Sequence, residues 1–504
     1  MKILRVTLLG LIMAFAICLS AQVSTLTNGV VFNDLNGNNK LDTGEKGLPG
    51  VGVSNGTQIV VTDKNGRYSL PLMVGSTLFV IKPKGWMTPI NADKLWQSYY
   101  IRTEANSHTK DFALTAQKEP TKFKVILFAD SQVGNMEDVN YLAHDAVEEL
   151  VGNDAAFGIT LGDICQKELS LAPEVNRVIA QIGIPWYYLQ GNHDITPGAT
   201  DDNQLNSLFT KLYGPAVYSF NYGPAHFLVL NTSVFDSKTQ SRSGLSPDEL
   251  EFVKNDLALV PKNQLVVVVL HIPLNEIAQE DSKQFFALLE KFPNVVALSG
   301  HKHFQRQIFM GAKEGWNGKE PLHMFMSGAV CGDMWSGQPD EMGIPNATNW
   351  DGTPNGYCFL NVSGNKYTID YKAARKPANY QMNIYAPNEV KASDETEIVV
   401  NVFNGSPKSK VEMRIDTTGN WLPMKSDKRY DPNGQRLVQE QQAYQNANGG
   451  KLWHARPINA PNRTEHIWIA KLPVTISPGT HQITIRHTDM YGRTVTAVRL
   501  INVK

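Results

Sequence analysis

The chain has 504 residues, of which 42% are hydrophobic and 19% charged, a composition that excludes wholesale disorder. At about 150 residues per domain, this length allows three or four domains. The 47 basic residues nearly balance the 48 acidic ones, so no charge surplus indicates nucleic acid or an anionic membrane surface as a partner.

The first predicted element is a targeting segment. Lys2 and Arg5 precede a largely apolar stretch at 6–19, and small residues follow at Ser20-Ala21. This stretch of about 14 residues is shorter than the roughly 20 that cross a bilayer as a helix, and no later stretch is long and apolar enough. The pattern predicts a signal peptide at 1–21 and a periplasmic or secreted protein without a transmembrane segment. Cys18 leaves a lipoprotein as the alternative.

Residues 22–118 are predicted to form an all-β sandwich domain. Short apolar runs, such as Ile59-Val60-Val61 and Leu78-Phe79-Val80-Ile81, alternate with turn residues such as Asp63-Lys64-Asn65-Gly66. The polar stretch 115–121 contains Pro120 and reads as a linker to the next domain.

One loop of this first domain has the spacing of an EF-hand-type calcium loop. Its candidate ligands, at positions 1, 3, 5, 7, 9 and 12, are Asp34, Asn36, Asn38, Lys40, Asp42 and Glu45. Lys40 would contribute its backbone carbonyl, and Asn39 replaces the usual glycine because Asn tolerates the left-handed conformation. The sequence leaves open whether the loop binds calcium or is a turn without metal.

Residues 119–374 are predicted to form a layered α/β domain, because buried strands alternate with amphipathic helices. Ser246-Pro247-Asp248-Glu249, for example, is a capping box that opens one helix. Five of the strands are followed directly by polar side chains, at the sheet edge where ligands bind in open α/β sheets. These residues are Asp130, Gln132, Asp163, Asn192, His193, Asp194, His271, His301 and His303.

The donor types indicate a metal centre. Carboxylates, amide oxygens and imidazoles suit divalent manganese, iron or zinc. Without His193 and Asp194 the set has seven candidate ligands, which are too many for one tetrahedral site. They suit two metals that share a bridging carboxylate. Each of these residues alone could be an ordinary turn or core residue. Five successive strand ends that all carry such residues are not explained in that way.

A long irregular loop at 327–357 follows and is predicted to bind substrate. Its candidate residues are Asp333, Trp335, Trp350, Asn355 and Tyr357. The alternative is that the aromatic residues pack the loop onto the core. The cysteines Cys165, Cys331 and Cys358 read as buried thiols, with a Cys331–Cys358 bridge left open.

Residues 375–504 are predicted to form a second all-β sandwich. Glu397 to Val402 and Gln482 to Ile485 read as strands, and the one helical pattern falls around Leu437 to Tyr444.

The strand-end motifs resemble those of the calcineurin-like metallophosphoesterases over residues 122 to 372, and the layout resembles bacterial secreted members with a β domain on each side. The resemblance implies a four-layer core of two mixed sheets flanked by helices. It implies one metal on Asp130, Gln132, Asp163 and His303, and a second on Asp163, Asn192, His271 and His301. The family usually has Asp-x-His where this chain has Asp130-Ser131-Gln132, which leaves open whether Gln132 is a ligand or hydrogen-bonds to a bound water.

The implied activity is hydrolysis of a phosphate ester by a hydroxide that bridges two metals about 3.5–4 Å apart. The resemblance places His193 at the substrate, where it can protonate the leaving oxygen. Asp194 either orients His193 or caps the loop. The alternatives are a phosphodiesterase or nucleotidase of the same family, and a surface binding protein with an inactive phosphoesterase fold. The substrate, the native metals and the oligomeric state are not specified by the sequence.

Overall fold

The computed structural model describes residues 25–103, 109–167, 169–454, 456–474 and 476–504. The predicted signal peptide and Cys18 therefore lie outside the described residues. Among the helices that these ranges contain, none is long and apolar enough to cross a membrane.

The N-terminal domain is a sandwich of two four-stranded sheets. Their strand orders are β4-β1-β8-β6 and β3-β2-β5-β7. The strands are β1 Thr25–Asn33, β2 Gly52–Ser54, β3 Ile59–Val61, β4 Arg67–Leu72, β5 Thr77–Val80, β6 Trp86–Met87, β7 Tyr99–Ile101 and β8 Phe112–Ala116. Val31 and Leu70 of the first sheet pack against Val53 and Leu78 of the second, so the predicted sandwich is confirmed.

The central domain contains thirteen described strands and six α-helices. The strands are β9 Lys122–Phe128, β10 Phe157–Thr160, β11 Trp186–Tyr188, β12 Tyr218–Tyr222, β13 Ala225–Val229, β14 Ser233–Asp236, β15 Gln240–Ser243, β16 Leu265–Val269, β17 Val295–Ser299, β18 Arg306–Met310, β19 Leu322–Met326, β20 Gly356–Ser363 and β21 Lys366–Ala373. The helices are α1 Met136–Leu142, α2 Ala172–Ile179, α3 Asp202–Leu205, α4 Ser207–Tyr213, α5 Pro247–Leu257 and α6 Gln279–Leu289. A π-helix at Ala143–Val147 and short 3-10 turns extend these elements.

Two mixed sheets form the middle of this domain, with strand orders β11-β10-β9-β20-β21 and β12-β13-β16-β17-β19-β18. Side chains alternate between the faces of each strand. Val125 of β9 therefore faces Phe227 and Val267 of the other sheet, whereas Ile126 packs among α1 and α2. Phe252 of α5 belongs to the core of the second sheet. The four-layer architecture of helices, two sheets and helices is confirmed.

The C-terminal domain is a second sandwich, with strand orders β22-β24-β30-β27 and β23-β32-β31-β25-β26. Its elements are β22 Met382–Tyr385, β23 Glu389–Val390, β24 Glu397–Val402, β25 Lys410–Ile415, β26 Leu422–Pro423, β27 Lys425–Ser426, β28 Arg429–Tyr430, α7 Pro432–Ala447, β29 Arg463–Thr464, β30 Ile467–Lys471, β31 Gly479–Thr488 and β32 Thr494–Val503. Helix α7 is longer than the predicted helical segment. Asp431 caps it by accepting a hydrogen bond from the Gly434 amide, and Pro432 occupies its first turn.

Candidate metal centre

The predicted ligands lie in five loops that leave strands at one end of the two central sheets. β9, β10 and β11 are parallel, as are β16 and β17, so within each sheet their carboxyl ends share an edge. The loops after β9, β10 and β11 carry Asp130, Asp163 and Asn192, and those after β16 and β17 carry His271 and His301. The two sheets face each other, and these edges therefore meet.

The backbone at the predicted ligands is strained. Only twelve non-glycine residues in the described ranges have a positive φ. Five of them are Asp130 (48°), Gln132 (34°), Asp163 (51°), His301 (84°) and His303 (52°). Residues held in such sparsely populated conformations cost on the order of 1–3 kcal/mol each and cluster at functional sites. At these five residues, the left-handed backbone goes together with a side chain that points toward the predicted metal centre.

Two of the histidines are oriented by backbone carbonyls. His271 Nδ1 donates to the Leu161 carbonyl at 2.7 Å, and His303 Nδ1 donates to the Gly332 carbonyl at 2.5 Å. A carbonyl oxygen can only accept, so the proton on each Nδ1 is fixed. Both Nε2 atoms are thereby directed into the site, which is the arrangement of a metal-ligating histidine.

The predicted ligands of the second metal form a compact group. Ligand atoms of Asp163, His271 and His301 all lie within 4.8 Å of one another. His271 Nε2 is 3.1 Å from both Asp163 Oδ2 and Asn192 Oδ1. The oxygens of Asp163 and Asn192 both need a positive partner beside this nitrogen. That partner is either a proton on His271 Nε2 or a metal cation that replaces the proton. The donor set therefore fits a divalent metal.

The electrostatics of this group agree with that reading. Burial alone disfavours the charged forms of both Asp163 and His271. Their mutual attraction nevertheless lowers the pKa of Asp163 and raises the pKa of His271 to about 9. Burial and the neighbouring His271 lower the pKa of His301 to about 3. Metal binding would displace the proton from His271, because ligating histidines must be neutral.

The predicted ligands of the first metal lie beside this group. The Asp130 carboxylate accepts the backbone N–H of His301 at 3.0 Å, and His303 Nε2 lies 3.7 Å from Asp130 Oδ1. The Gln132 amide lies 3.2 Å from Asp163 Oδ2, to which its Nε2 donates. Rotating the amide by 180° exchanges its nitrogen and oxygen, so Gln132 can present an oxygen at the same place.

His193 is a partly exposed histidine at this centre. Its backbone N–H donates to Asp163 Oδ1 at 2.9 Å, and its Nδ1 donates to the Gln166 carbonyl at 2.7 Å. Nε2 lies 4.0 Å from Asp163 Oδ2, and the side chain is 36% exposed. The imidazole is therefore anchored on one side and open to a ligand on the other.

Asp194 does not orient His193. Its buried carboxylate accepts hydrogen bonds from the backbone N–H groups of Ile164, at 3.0 Å, and Gly191, at 2.9 Å. Burial, followed by repulsion from Asp163, raises the pKa of Asp194 to about 7. Of the two roles left open for Asp194, these contacts match loop capping, and the anchor of His193 is the Gln166 carbonyl.

The predicted substrate loop is largely structural. Trp335 is 0% exposed and Tyr357 is 2% exposed. Trp335 Nε1 donates to the Ser131 carbonyl, and the Tyr357 hydroxyl donates to Glu149. Trp335 and Tyr357 are therefore unavailable to a substrate, and the alternative that they pack the loop onto the core is the one that the structure shows.

The other three loop candidates also have protein partners. Asn355 donates to Asp145 and to the Val330 carbonyl. Asp333 is buried and accepts from Trp350 Nε1 at 2.7 Å. Trp350 itself is half-buried and stacks on the His303 ring, with centroids 5.0 Å apart. It is the loop aromatic that lies directly against a predicted metal ligand.

The three described cysteines, Cys165, Cys331 and Cys358, are free and buried, so no bridge joins Cys331 to Cys358. Cys331 Sγ lies 3.9 Å from Gln132 Oε1.

The predicted calcium loop contains the left-handed turn expected at Asn39 (φ 61°). The buried Asp34 carboxylate accepts from the backbone N–H groups of Gly37 and Asn39, and Glu45 accepts from those of Leu35 and Asp42. The Asn36 and Asn38 amides both donate to Asp42. The side chains of the candidate ligands thus lie close together. The carboxylates of Asp34 and Glu45 accept hydrogen bonds from backbone N–H groups of the loop itself.

Sequence reasoning missed the groups that orient the site. The carbonyls of Leu161, Gln166 and Gly332 carry no side-chain signal, because any residue type supplies a carbonyl. The contacts from the C-terminal domain, described below, come from residues more than a hundred positions away.

Three family models match the chain. They are described as the N terminal of calcineurin-like phosphoesterase at residues 34–117, calcineurin-like phosphoesterase at 123–305, and the C terminal of calcineurin-like phosphoesterase at 324–495. A comparison with curated proteins found no match.

Solved structures show weaker similarity. A purple acid phosphatase, PPD1, from yellow lupin (Lupinus luteus) seeds has 13% identity and a TM-score of 0.37, over 65% of this chain and 69% of that chain. A 5'-nucleotidase from Candida albicans SC5314 has 12% identity and a TM-score of 0.30, over 49% of this chain and 51% of that chain. A superoxide reductase from Ignicoccus hospitalis has 13% identity and a TM-score of 0.15, over 25% of this chain and 81% of that chain. With all three TM-scores below 0.5, the assignment rests on the family models.

The chain belongs to the calcineurin-like phosphoesterase family, as its strand-end motifs predicted. Its class is that of metal-dependent hydrolases that act on phosphate esters.

Proposed function

We propose that the protein is a periplasmic or secreted phosphoesterase that uses two divalent metals and the general acid His193. The observation that carries the proposal is the convergence of the predicted ligands on Asp163 beside an open histidine. Asp163 contacts groups from both ligand sets, since it lies 3.1 Å from His271 Nε2 and 3.2 Å from the Gln132 amide. That position is the one a bridging carboxylate needs.

Bound divalent ions would neutralise the phosphoryl oxygens and supply an activated water. The protein's own groups do the rest. The carbonyls of Leu161 and Gly332 hold the imidazoles of His271 and His303 with Nε2 toward the centre. The Gln166 carbonyl holds His193 through Nδ1, so a proton on His193 Nε2 is directed into the open site. Donating that proton to the leaving oxygen is general acid catalysis.

Secretion is part of the proposal because the first 21 residues have the pattern of a cleaved signal peptide. We also infer that the loop from Asp34 to Glu45 binds calcium, which is supported by its EF-hand-type spacing and by the left-handed Asn39. Both ideas are separate from the catalytic centre, and failure of either leaves the phosphoesterase assignment intact.

Metal dependence is the first test. The full-length mature chain should hydrolyse an aryl phosphate with added manganese and lose activity on chelation. Loss of a supporting ligand partner costs 10–100-fold in such sites, so Asp163→Asn should cost more than about 100-fold and most of the bound metal. Asp248→Asn, at an exposed position in α5, is the matched control. Wild-type metal content and activity in Asp163→Asn would contradict the two-metal assignment, and a wild-type chain that binds metal without turnover would indicate a binding protein.

The role of His193 is tested by the leaving group. An alkoxide needs a proton to leave, whereas a nitrophenolate leaves almost unaided. General acid catalysis is worth about 10²–10⁴-fold, so His193→Ala should approach that loss on an alkyl phosphate and lose far less on a nitrophenyl phosphate. Metal content should stay unchanged. His144→Ala, an exposed histidine paired with Glu148, is the control. Equal losses on both substrates would assign His193 to binding the phosphoryl group, and loss of metal would make it a ligand.

A further inference from the structure

A short segment of the C-terminal domain lies against the loops of the metal centre. We call residues 456–462 the strap. At its middle, Asn459 donates its backbone N–H to Asp333 Oδ2 and its side-chain amide to Asp333 Oδ1, both at 2.6 Å. Asn462 donates its backbone N–H to the Trp350 carbonyl at 2.6 Å. The strap therefore contacts the central domain through a specific set of hydrogen bonds.

Arg456, at the near end of the strap, joins helix α1 to the loop at 327–357. Its Nη2 donates to Asp138 Oδ2, and its Nη1 donates to the Met334 carbonyl. Asp138 is only 1% exposed. A planar guanidinium can make both contacts at once because its donors are fixed in a fork. The Arg456–Asp138 pair is a charge-assisted contact between two domains, and its residues are 318 positions apart in sequence.

The same carboxylate oxygen of Asp138 holds the first metal loop. Asp138 Oδ2 also accepts the backbone N–H of Gly134 at 2.7 Å. Gly134 directly follows the segment that carries Asp130 and Gln132, both in left-handed conformations. Such conformations persist only where the surroundings hold them. Arg456 fixes the carboxylate that holds the end of this loop.

Arg456 also lies beside the residue that anchors His193. A Cβ added to Gly134 would come within 2.4 Å of Gln166 Oε1 and 2.9 Å of Arg456 Nη2. The Gln166 amide and the Arg456 guanidinium thus both lie next to the Gly134 Cα. The Gln166 carbonyl accepts the proton of His193 Nδ1, and its backbone N–H donates to Val133. The Arg456 side chain therefore contacts the support of the first metal loop and lies close to the residue that anchors His193.

We propose that Arg456 is a positioning residue, through which the C-terminal domain holds the first metal loop and the His193 anchor in their active arrangement. This inference rests on the proposed function. Removing the guanidinium leaves the Asp138 carboxylate buried without its counter-charge and frees the loop from Asp130 to Gly134. The C-terminal sandwich is then part of the catalytic unit.

The test compares Arg456→Met with Arg456→Lys in the full chain, by manganese titration and bound-metal content. Two metals should bind in two steps of different affinity. Arg456→Met should lower the affinity of the weaker step by about 10–100-fold, the usual effect of losing a group that supports a ligand. It should also lower kcat more on an alkyl than on a nitrophenyl phosphate. Asp138→Asn should act in the same direction, and the double variant should be no worse than the single ones, because the two residues share one contact. Arg436→Met, an exposed residue of α7 paired with Glu440, is the matched control and should change neither property.

Wild-type metal affinity in Arg456→Met together with a lower melting temperature would overturn the proposal, since Arg456 would then only dock the domains. If Arg456→Met does not fold, Arg456→Lys decides the question. It keeps a charge opposite Asp138 but cannot also contact Met334 through a fork, so metal affinity should fall several-fold, and wild-type affinity would contradict the proposal. If the wild-type chain binds metal but hydrolyses no phosphate ester, the proposed function fails, while the metal titration still decides the role of Arg456.

Discussion

Gln132 is the residue at which this metal centre departs from the pattern of its family. It follows Asp130 by two positions, shares its left-handed backbone and directs its amide to Asp163. A neutral amide is a weaker ligand than an imidazole, but its oxygen suits a divalent ion. We therefore propose that position 132 is a ligand position, and that its side chain sets how tightly the first metal binds.

Gln132→His tests this idea directly. If residue 132 contacts the metal, the imidazole should preserve or tighten the first site, by up to about 100-fold, the range over which changes around a ligand act. Gln132→Ala should weaken the same site and leave the second unchanged. Manganese titration with bound-metal analysis measures both effects. Unaltered affinity in both variants would show that Gln132 is not a ligand.

At the level of elements, the position of the site follows from the strands. A buried parallel strand carries its next residues to the carboxyl edge of the sheet, so polar residues after β9, β10, β11, β16 and β17 had to meet once the sheets faced each other. This part of the centre was predictable because strand pattern and donor type are both local signals.

The loop at 327–357 shows what the local sequence pattern cannot predict. Composition predicted a functional loop but could not tell a ring that faces solvent from one that packs inward. Trp335 and Tyr357 are buried because α1 and the core strand β9 lie beneath them. Asp333 accepts a hydrogen bond from Asn459 of the C-terminal domain. These outcomes depend on tertiary contacts between distant segments, which no pattern within the loop encodes.

The predicted calcium loop is an element whose function can be tested apart from catalysis. Asp34→Asn with Glu45→Gln keeps the hydrogen-bond acceptors for the backbone and removes two charges. Calcium at 10–100 times its dissociation constant stabilises the folded state by about 1–3 kcal/mol through mass action. The wild-type chain should therefore melt at a higher temperature in calcium than in an equal concentration of magnesium. The double variant should lose that difference, and a variant that keeps the full calcium response would place the site elsewhere.

At the scale of the whole molecule, the three domains are joined by buried polar contacts. His466 of the C-terminal domain contacts Asp351 of the central domain at 2.9 Å, and both side chains are buried. The predicted linker at 115–121 is held in the same way. Glu119 accepts the backbone N–H groups of Gly85 at 3.0 Å and Gly223 at 2.8 Å, one from each domain that it connects. The linker thus fixes the N-terminal sandwich to the central domain.

Lys82 completes this junction and gives the last prediction. Its Nζ lies 2.5 Å from Glu119 Oε1 and donates to the Asn221 carbonyl at 2.8 Å, with the two side chains only 3% and 1% exposed. Burial lowers the pKa of Lys82 despite the adjacent carboxylate.

Removing one partner of a buried pair leaves an uncompensated charge and costs about 3–5 kcal/mol, whereas replacing both partners costs much less. Lys82→Met should therefore destabilise the chain by about that amount in denaturant unfolding. Lys82→Met with Glu119→Gln should recover most of the loss, since the Gln oxygen still accepts from the backbone. Lys254→Met, which removes an exposed pair with Glu251, should cost no more than about 1 kcal/mol. A loss that small in Lys82→Met would mean that the junction opens to water and that the N-terminal domain moves independently.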